Sequence, residues 1–595
     1  MKKAKLLSLC LAGAMLFSGC APKSDAPVDD KTGMTAGTYE ATAKGFGGDL
    51  KISVTVDADK ITAIDVLENS ETEAIGGAAL PTLVQEVLDS QSIAIDTVSG
   101  ATVTSNGFIE ALKDALTQAG ADLDKMSQAV TGNTEKETVE LTTDILVIGA
   151  GGAGLTASLS ALQEGNKVVL LEKMSFAGGA SSMAGAGTTA TGSKWQIESG
   201  YEDSPEMLKA DMLANGHNYN DEATLDIFVN TVGAAFDWWV DPEGANVEYS
   251  NTEPGRTYSG VGRGAGVVKT LLQRVEDAGG DVYLNTAGTE LIIENGKVVG
   301  AKAESKDKIY TINAKAVILA TGGFGANDEL VPAEYQEFVY AGAAGATGDA
   351  IEMTKAVDAD LINMEFVNVQ PNSIVMPSGL GQYCNPGVGG AYATSGAFLV
   401  NENGVRFANE QGKAYDLIQA MKQNKTNYLI LDQASFDAFN KGMIGSAIYT
   451  EENVKEWLEN NGSSNPVMVK GETLEDLAKT LNLPEGSLTA AAEKYNADVA
   501  AGTDEFGRKL TVEISNDGPY YAVQMWLRYY ATLGGLHIND QMQVLNTKQE
   551  AVDGLFAAGE VVGGLEGDIY YGGSLFGWAM TSGRNAGVSA SSMIK

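Results

Sequence analysis

Apolar residues change their spacing along this chain, and each change marks an element or a boundary. Leu6 to Phe17 is a short apolar run behind Lys2, Lys3 and Lys5; it is too short to span a bilayer and has the layout of a cleaved leader, residues 1–20. Ala21 to Ala36 is polar and reads as a flexible tether, 21–36. Thr38 to Ala43 and Leu50 to Val56 then alternate apolar with polar, the period of strands, and Ile61 to Val66 makes a third. Leu80 to Leu88 and Gly107 to Leu116 carry helical spacing. These elements predict a small α+β domain over 37–120. The polar stretch 121–140, with Glu135, Lys136 and Glu137, reads as a linker.

From Leu141 the pattern is different. Ile145 to Ile148 and Lys167 to Leu171 are apolar runs, as in strands buried on both faces of a parallel sheet. Leu155 to Gln163 between them is helical and stops at Gly165. Gly149, Gly151 and Gly154 follow the first strand in G-x-G-x-x-G order, and Glu172 closes the second. Strand, glycine turn, helix, strand and acid are the parts of a dinucleotide-binding βαβ unit. Gly149 makes the tight turn, Gly151 lets backbone approach a pyrophosphate, and Gly154 lets the helix pack on the strand. Free N–H groups at the helix start face the phosphates, and Glu172 is placed to accept from ribose hydroxyls. Small residues at Gly178 to Ser182 and Gly185 to Thr189 suit a flat ring, which favours FAD over NAD. A strand at Lys315 to Leu319 runs into Gly322, Gly348-Asp349 precedes a further helical stretch, and Gly554 to Glu560 reads as a returning strand and turn. The predicted FAD contacts are Gly149, Gly151, Gly152, Ala153, Gly154, Glu172, Lys173, Gly178, Gly179, Ala180, Ser181, Gly322, Asp349, Glu560, Ser574 and Leu575.

Between about Pro377 and Glu513 short strands and helices mix. The fold class expected is therefore α/β: a Rossmann-like FAD-binding domain in two parts, 141–376 and 514–595, with an inserted α+β cap, 377–513, all preceded by the small α+β domain. The second part closes with a helix over Ala579 to Met593.

Composition narrows the partners. A net charge of −38 argues against nucleic acid. The two histidines, His217 and His537, cannot make a His-rich metal site, and no metal is expected. The 71 glycines show no period and fit tight turns and close backbone–ligand approach.

Three resemblances add to this. Phe17-Ser18-Gly19-Cys20 resembles a bacterial lipobox, with Leu16 one place early. It implies cleavage before Cys20, lipid on its thiol, and a protein anchored to the extracytoplasmic face of the cell membrane, with membrane contact through that anchor only. Asp96-Thr97-Val98-Ser99-Gly100-Ala101-Thr102 lies in a domain that resembles the FMN-binding domain of sodium-pumping quinone reductase subunits and multidomain flavin reductases. It implies FMN esterified to Thr102 through phosphate by a flavin transferase, with Asp96 in the recognition motif. The alternative is a Ser/Thr-rich turn that caps the helix carrying Phe108.

From Leu141 onward the chain resembles the fumarate reductase flavoproteins and, at the active site, the 3-ketosteroid dehydrogenases. The shared skeleton is Met364-Glu365-Phe366, Phe398 to Asn401, Arg406 to Glu410 and Thr532 to Gly535. By this resemblance the charged groups with which fumarate reductases grip carboxylates fall on Gln370, Ala531 and Tyr570, and their proton-donating arginine falls on or next to Tyr415. Asn409 to Asp416 and Gly567 to Thr581 instead resemble the ketosteroid enzymes, with one residue more and one fewer respectively. That likeness implies catalysis by Tyr415 and Tyr570. Tyr570 and a backbone N–H near Gly573 or Ser574 would hold a ketone oxygen, and Tyr415 would exchange a proton at the α carbon. Tyr529, Tyr530 and Tyr571 add flat apolar area for a substrate, and core packing is the alternative for Tyr529 and Tyr571. Trp526 and Trp578 stand in the same position.

The implied activity is an ene reductase. Electrons would pass from a membrane donor through FMN on Thr102 to non-covalent FAD, then as hydride to an α,β-unsaturated ketone, a 3-oxo-Δ4 or Δ1 steroid or bile acid. Alternatives are a fumarate-, urocanate- or aryl-acrylate-type enoate reductase using Arg256, Arg263 or Arg528, a ketosteroid dehydrogenase acting oxidatively, and an electron-transfer lipoprotein without catalysis.

Overall fold

Strand Glu137–Ile148 lies inside the main sheet, paired in parallel with Lys308–Leu319 on one side and Val168–Leu171 on the other. This is a computed structural model; it describes residues 33–71, 76–98, 100–127, 136–250, 255–446, 448–509 and 512–595. The leader, Cys20 and most of the tether lie outside the described residues. Asp281–Tyr283 and Ala551–Ala557 extend the parallel part, and an antiparallel hairpin of Ala287–Glu294 and Lys297–Glu304 flanks Lys308–Leu319. Ile145 to Ile148 and Val168 to Leu171 are buried, as their unbroken apolar runs require. Each such side chain contributes roughly 1.5–3 kcal/mol on leaving water.

Helix Gly152–Gln163 crosses between the two strands, and the C-terminal helix Ser574–Ile594 packs along it. The two helices touch backbone to backbone. A methyl group at Gly583 would sit 2.2 Å from Ala153 O, and one at Gly587 2.4 Å from Ala157 O. The last helix therefore closes over the first glycine turn.

The cap is larger than its composition marks out. Its seven-stranded sheet is built around Tyr520–Thr532, which pairs with Val367–Val375, Val339–Tyr340, Asn427–Asp432 and Met468–Gly471. Two of its principal strands thus lie outside 377–513, in stretches the sequence had assigned to the FAD domain. Arg406, Glu410, Asp504 and Arg508 form a buried ion network that ties the cap together, with Arg406 bidentate on Glu410 and Arg508 Nη1 3.1 Å from it.

The small domain is a three-stranded sheet, Gly37–Lys44, Asp49–Val56 and Ile61–Glu68, covered by helices Ala78–Ser90 and Thr102–Gln118. A short helix, Leu123–Met126, buries Met126 in the same core. Ordered elements therefore reach into the stretch 121–140 from both sides, and residues 128–135 lie outside the described set. The small domain rests on the FAD domain, where Phe176 packs against its core and Lys306 pairs with Glu86 at 2.5 Å.

Candidate active site

The glycine turn separates two roles among its glycines. Gly149 has φ +104° and a methyl there would meet Ala320 O at 2.3 Å; a methyl at Gly154 would meet Gly149 O at 1.7 Å. Both are held by protein packing. Gly151 has ordinary φ and, within 4 Å, only Gly178 O, at 3.7 Å. Gly179 and Gly322 likewise face open space. These three line a cradle that only a ligand fills.

Polar groups converge on that cradle. Glu172 accepts from Ala150 N–H at 2.9 Å and Met174 N–H at 2.8 Å, which fixes its carboxylate at the end of the second strand. Lys173 Nζ donates to Asp349 at 2.7 Å and to Thr347. Gly152 N–H donates to Ser181 Oγ at 3.1 Å, beside the helix that carries Gly179 and Ala180. Ala153 is buried beneath the turn and Leu575 is half-buried in the C-terminal helix. Ser175 Oγ and Thr321 Oγ1 are buried with no partner, a state that a bound polar molecule relieves. Glu560 holds Thr532 N–H at 2.9 Å, and burial raises its pKa to about 7. This set fits FAD. Gly151→Ala should leave the flavin-free fold intact and weaken FAD binding roughly 10–100-fold, since overpacking costs about 1–3 kcal/mol. Gly154→Ala should destabilise the protein itself. Flavin titration beside thermal melts separates the two outcomes.

In the small domain Thr102 is the first residue of helix Thr102–Gln118, and it is exposed. Its neighbours are engaged. Thr104 Oγ1 donates to Glu71 at 2.6 Å, and Ser105 Oγ accepts from Val98 N–H and donates to Ala101 O. The hydroxyl at the helix start is left facing solvent, where N–H groups favour a phosphate. The turn abuts the FAD cradle: a methyl on Gly100 would lie 3.4 Å from both Met174 Cε and Phe176 Cζ.

The third group of residues lies around Tyr570. Its oxygen accepts from Gly573 N–H at 2.8 Å, and burial raises its pKa above the ordinary 10. The phenol is therefore neutral and its own proton is free to be donated. The Ser574 N–H donates to Tyr571 O at 3.1 Å. Both backbone donors expected to hold a ketone are thus already engaged, and Gly573 acts on Tyr570. Ser574 Oγ donates to Glu566, which also accepts from Tyr571 N–H at 2.9 Å.

Burial raises the Glu566 pKa from 4.5 to about 8. The folded protein then binds this proton more tightly than the unfolded chain. Its contribution is fully present below pH 4.5 and is lost as pH rises to about 8. Flavin-free protein should lose melting temperature across that window, and Glu566→Gln should flatten the curve.

Tyr415 starts helix Ala414–Lys422 and is half-buried, with His217 against it at 4.5 Å between ring centroids. His217 Nδ1 is 2.8 Å from Asp568, two residues before Tyr570. His217 is exposed and adopts φ +49°, a strained conformation for histidine. The His217–Asp568 pair thus connects the Tyr415 helix to the Tyr570 loop. The sequence held no local sign of it.

Strand parity sorts the other tyrosines. Tyr529 is buried in the cap core, donates to Gly325 O at 3.2 Å and lies against Tyr340. It is packing, not substrate surface. Trp578 is likewise core, with Nε1 donating to Gly559 O. Tyr571 accepts from Arg256 at 2.7 Å, and Arg256 also binds Asp203 and Asp211, so this arginine is neutralised. Arg263 is exposed at the start of helix Arg263–Asp277. Tyr530 is on the opposite strand face from Tyr529, beside Arg528, whose Cζ is 4.8 Å from the Tyr530 ring.

A glycine-lined cradle beside an exposed threonine at a helix start is the layout of a two-flavin oxidoreductase. Comparison with known proteins gives the same class: an FAD binding domain matches residues 144–575 and an FMN-binding domain residues 45–117. The chain belongs to the FAD-binding oxidoreductase family that includes the fumarate and urocanate reductases. It is 30% identical to a urocanate reductase of Eggerthella lenta, covering 98% of this chain and 97% of that one. Among solved structures it resembles the open conformation of a flavocytochrome c3 fumarate reductase (TM-score 0.62, 29% identity, 80% and 81% of the two chains). It also resembles the 3-ketosteroid-Δ4-(5α)-dehydrogenase of Rhodococcus jostii bound to 4-androstene-3,17-dione (TM-score 0.60, 25% identity, 78% and 99%). The chain is thus a flavin-dependent oxidoreductase of the type that acts on carbon–carbon double bonds, with FAD and FMN as cofactors.

Proposed function

We propose that this protein reduces the double bond of an α,β-unsaturated ketone, of which a 3-oxo-Δ4 or Δ1 steroid or bile acid is the preferred case. The observation that carries this reading is the neutral phenol of Tyr570, with Gly573 N–H on its oxygen, in a loop coupled to Tyr415. Bound FAD supplies the hydride. As it reaches the β carbon, negative charge grows on the carbonyl oxygen. Tyr570 donates to that oxygen, and the Gly573 N–H polarises the phenol further. Tyr415 gives its phenolic proton to the α carbon. His217, exposed and held by Asp568, provides a path from water back to Tyr415. Tyr570→Phe should lower kcat with an enone by roughly 10²–10³, the usual cost of one lost oxyanion donor, with flavin content unchanged. Full turnover in that variant would remove the assignment.

FMN on Thr102 is the proposed entry point for electrons, fed by a membrane donor and installed by a flavin transferase, with Cys20 as the lipid anchor. Contact of the Gly100 turn with Met174 and Phe176 supports passage between the flavins. A second reading, reduction of an unsaturated carboxylate, is supported by the near full-length likeness to a urocanate reductase.

A further inference from the structure

Arg528 is a half-buried arginine that no carboxylate pairs with among the described residues. Its Nε is buried and has no hydrogen-bond partner. Its guanidinium lies 4.8 Å from the Tyr530 ring and 5.8 Å from the Tyr383 ring. Stacking of this kind restricts the planar group and leaves its edge available for hydrogen bonds. Burial lowers its pKa, but an arginine stays charged at physiological pH.

The surroundings are donors. Across the sheet the partner of Arg528 is Gln370. Gln370 Nε2 donates to Asn368 Oδ1 at 2.9 Å, and the side chain of the buried Asn368 faces the Tyr530 hydroxyl. Arg528, Tyr530, Gln370 and Asn368 share one face of the sheet, opposite to the core residues Leu527, Tyr529, Val367 and Val369. An unpaired cation with a buried, unsatisfied Nε is costly unless something binds to it. Arg406 and Arg508 in this same cap are each paired with Glu410.

We propose that Arg528, with Asn368 and Gln370 beside it, is a carboxylate-binding subsite, so that the substrate is an unsaturated carbonyl compound that also bears an acid group. With one arginine at the subsite, one carboxylate is recognised. The placement of the double bond on that substrate rests on the reading of Tyr570 and Tyr415 above; the acid group does not.

The test uses the holoenzyme with chemically reduced flavin and three probes: a cyclic enone with a carboxylate arm, its primary amide, and an aryl acrylate with no ketone. Wild type should prefer the acid over the amide by roughly 10–100-fold in kcat/KM, the range of a hydrogen-bonded charge. Arg528→Gln should erase that preference, and Arg528→Lys should keep part of it. Binding of the saturated acid to oxidised enzyme, read from the flavin spectrum, should weaken in parallel. Equal use of acid and amide by the wild type overturns the proposal without need of any variant, and so does a preference that survives Arg528→Gln. Reduction of the aryl acrylate alone, dependent on Arg528, keeps the subsite and overturns the ketone reading instead.

Discussion

Tyr415→Phe should leave the fold and both flavins in place and lower turnover with an enone by roughly 10²–10⁴-fold, the usual contribution of a positioned general acid. The substitution removes one oxygen at the start of a helix. Tyr415 is half-buried and, among the described residues, no hydrogen bond of its hydroxyl holds the Ala414–Lys422 helix, which is anchored through Leu417, Ile418 and Met421 in the cap core. Loss of activity is therefore separable from loss of structure by thermal melts and flavin absorbance. The ring contact with His217 adds a second signature. If His217 returns protons to Tyr415, His217→Phe should lower kcat more than kcat/KM for slow substrates, because the path to water is cut while the first proton is still present. Full turnover in Tyr415→Phe would take the proton-transfer role from this residue.

The other large effect is expected at Thr102. Thr102→Ala should abolish covalent flavin, so that denatured protein releases FAD and retains no fluorescence on the chain. The neighbouring hydroxyls provide the control. Thr104 and Ser105 are buried and hydrogen-bonded, to Glu71 and to the Val98–Ala101 turn, whereas Thr102 faces solvent. Thr104→Val should keep the flavin bond even where it costs stability. Reduced viologen, which can reach FAD directly, should still drive Thr102→Ala, while a membrane-borne donor should not. Flavin retained on the chain of Thr102→Ala would place the attachment elsewhere.

What could be read from the residues alone was local. The strand, glycine turn and helix around Gly149 to Leu155 are contiguous, and each glycine's role follows from its immediate neighbours. The strands and helices of the small domain were legible for the same reason, by period. The extent of the cap was not, because Val367–Val375 pairs with Tyr520–Thr532 across about 150 residues of chain. Strand parity was also hidden. Tyr529 and Tyr530 are adjacent in sequence, yet one is core and the other shares a face with Arg528. His217 and Asp568 meet from 351 positions apart. The burial of Glu566 and the lack of a partner for Arg528 are properties of the assembled pocket, with no trace in the motif around either residue. Resemblance pointed to Tyr415 and Tyr570 as the catalytic pair, and it assigned to the Gly573 N–H a contact with substrate where the structure has that N–H on the Tyr570 oxygen.

The most direct measurement is anaerobic reoxidation of the reduced holoenzyme, followed at the flavin absorption band, on addition of a 3-oxo-4-ene steroid, fumarate or urocanate. Rapid reoxidation by the enone, with a saturated ketone as product and slow or no response to fumarate and urocanate, is the predicted result. Reoxidation by fumarate or urocanate with the enone inert would contradict a pocket in which phenols recognise an uncharged carbonyl.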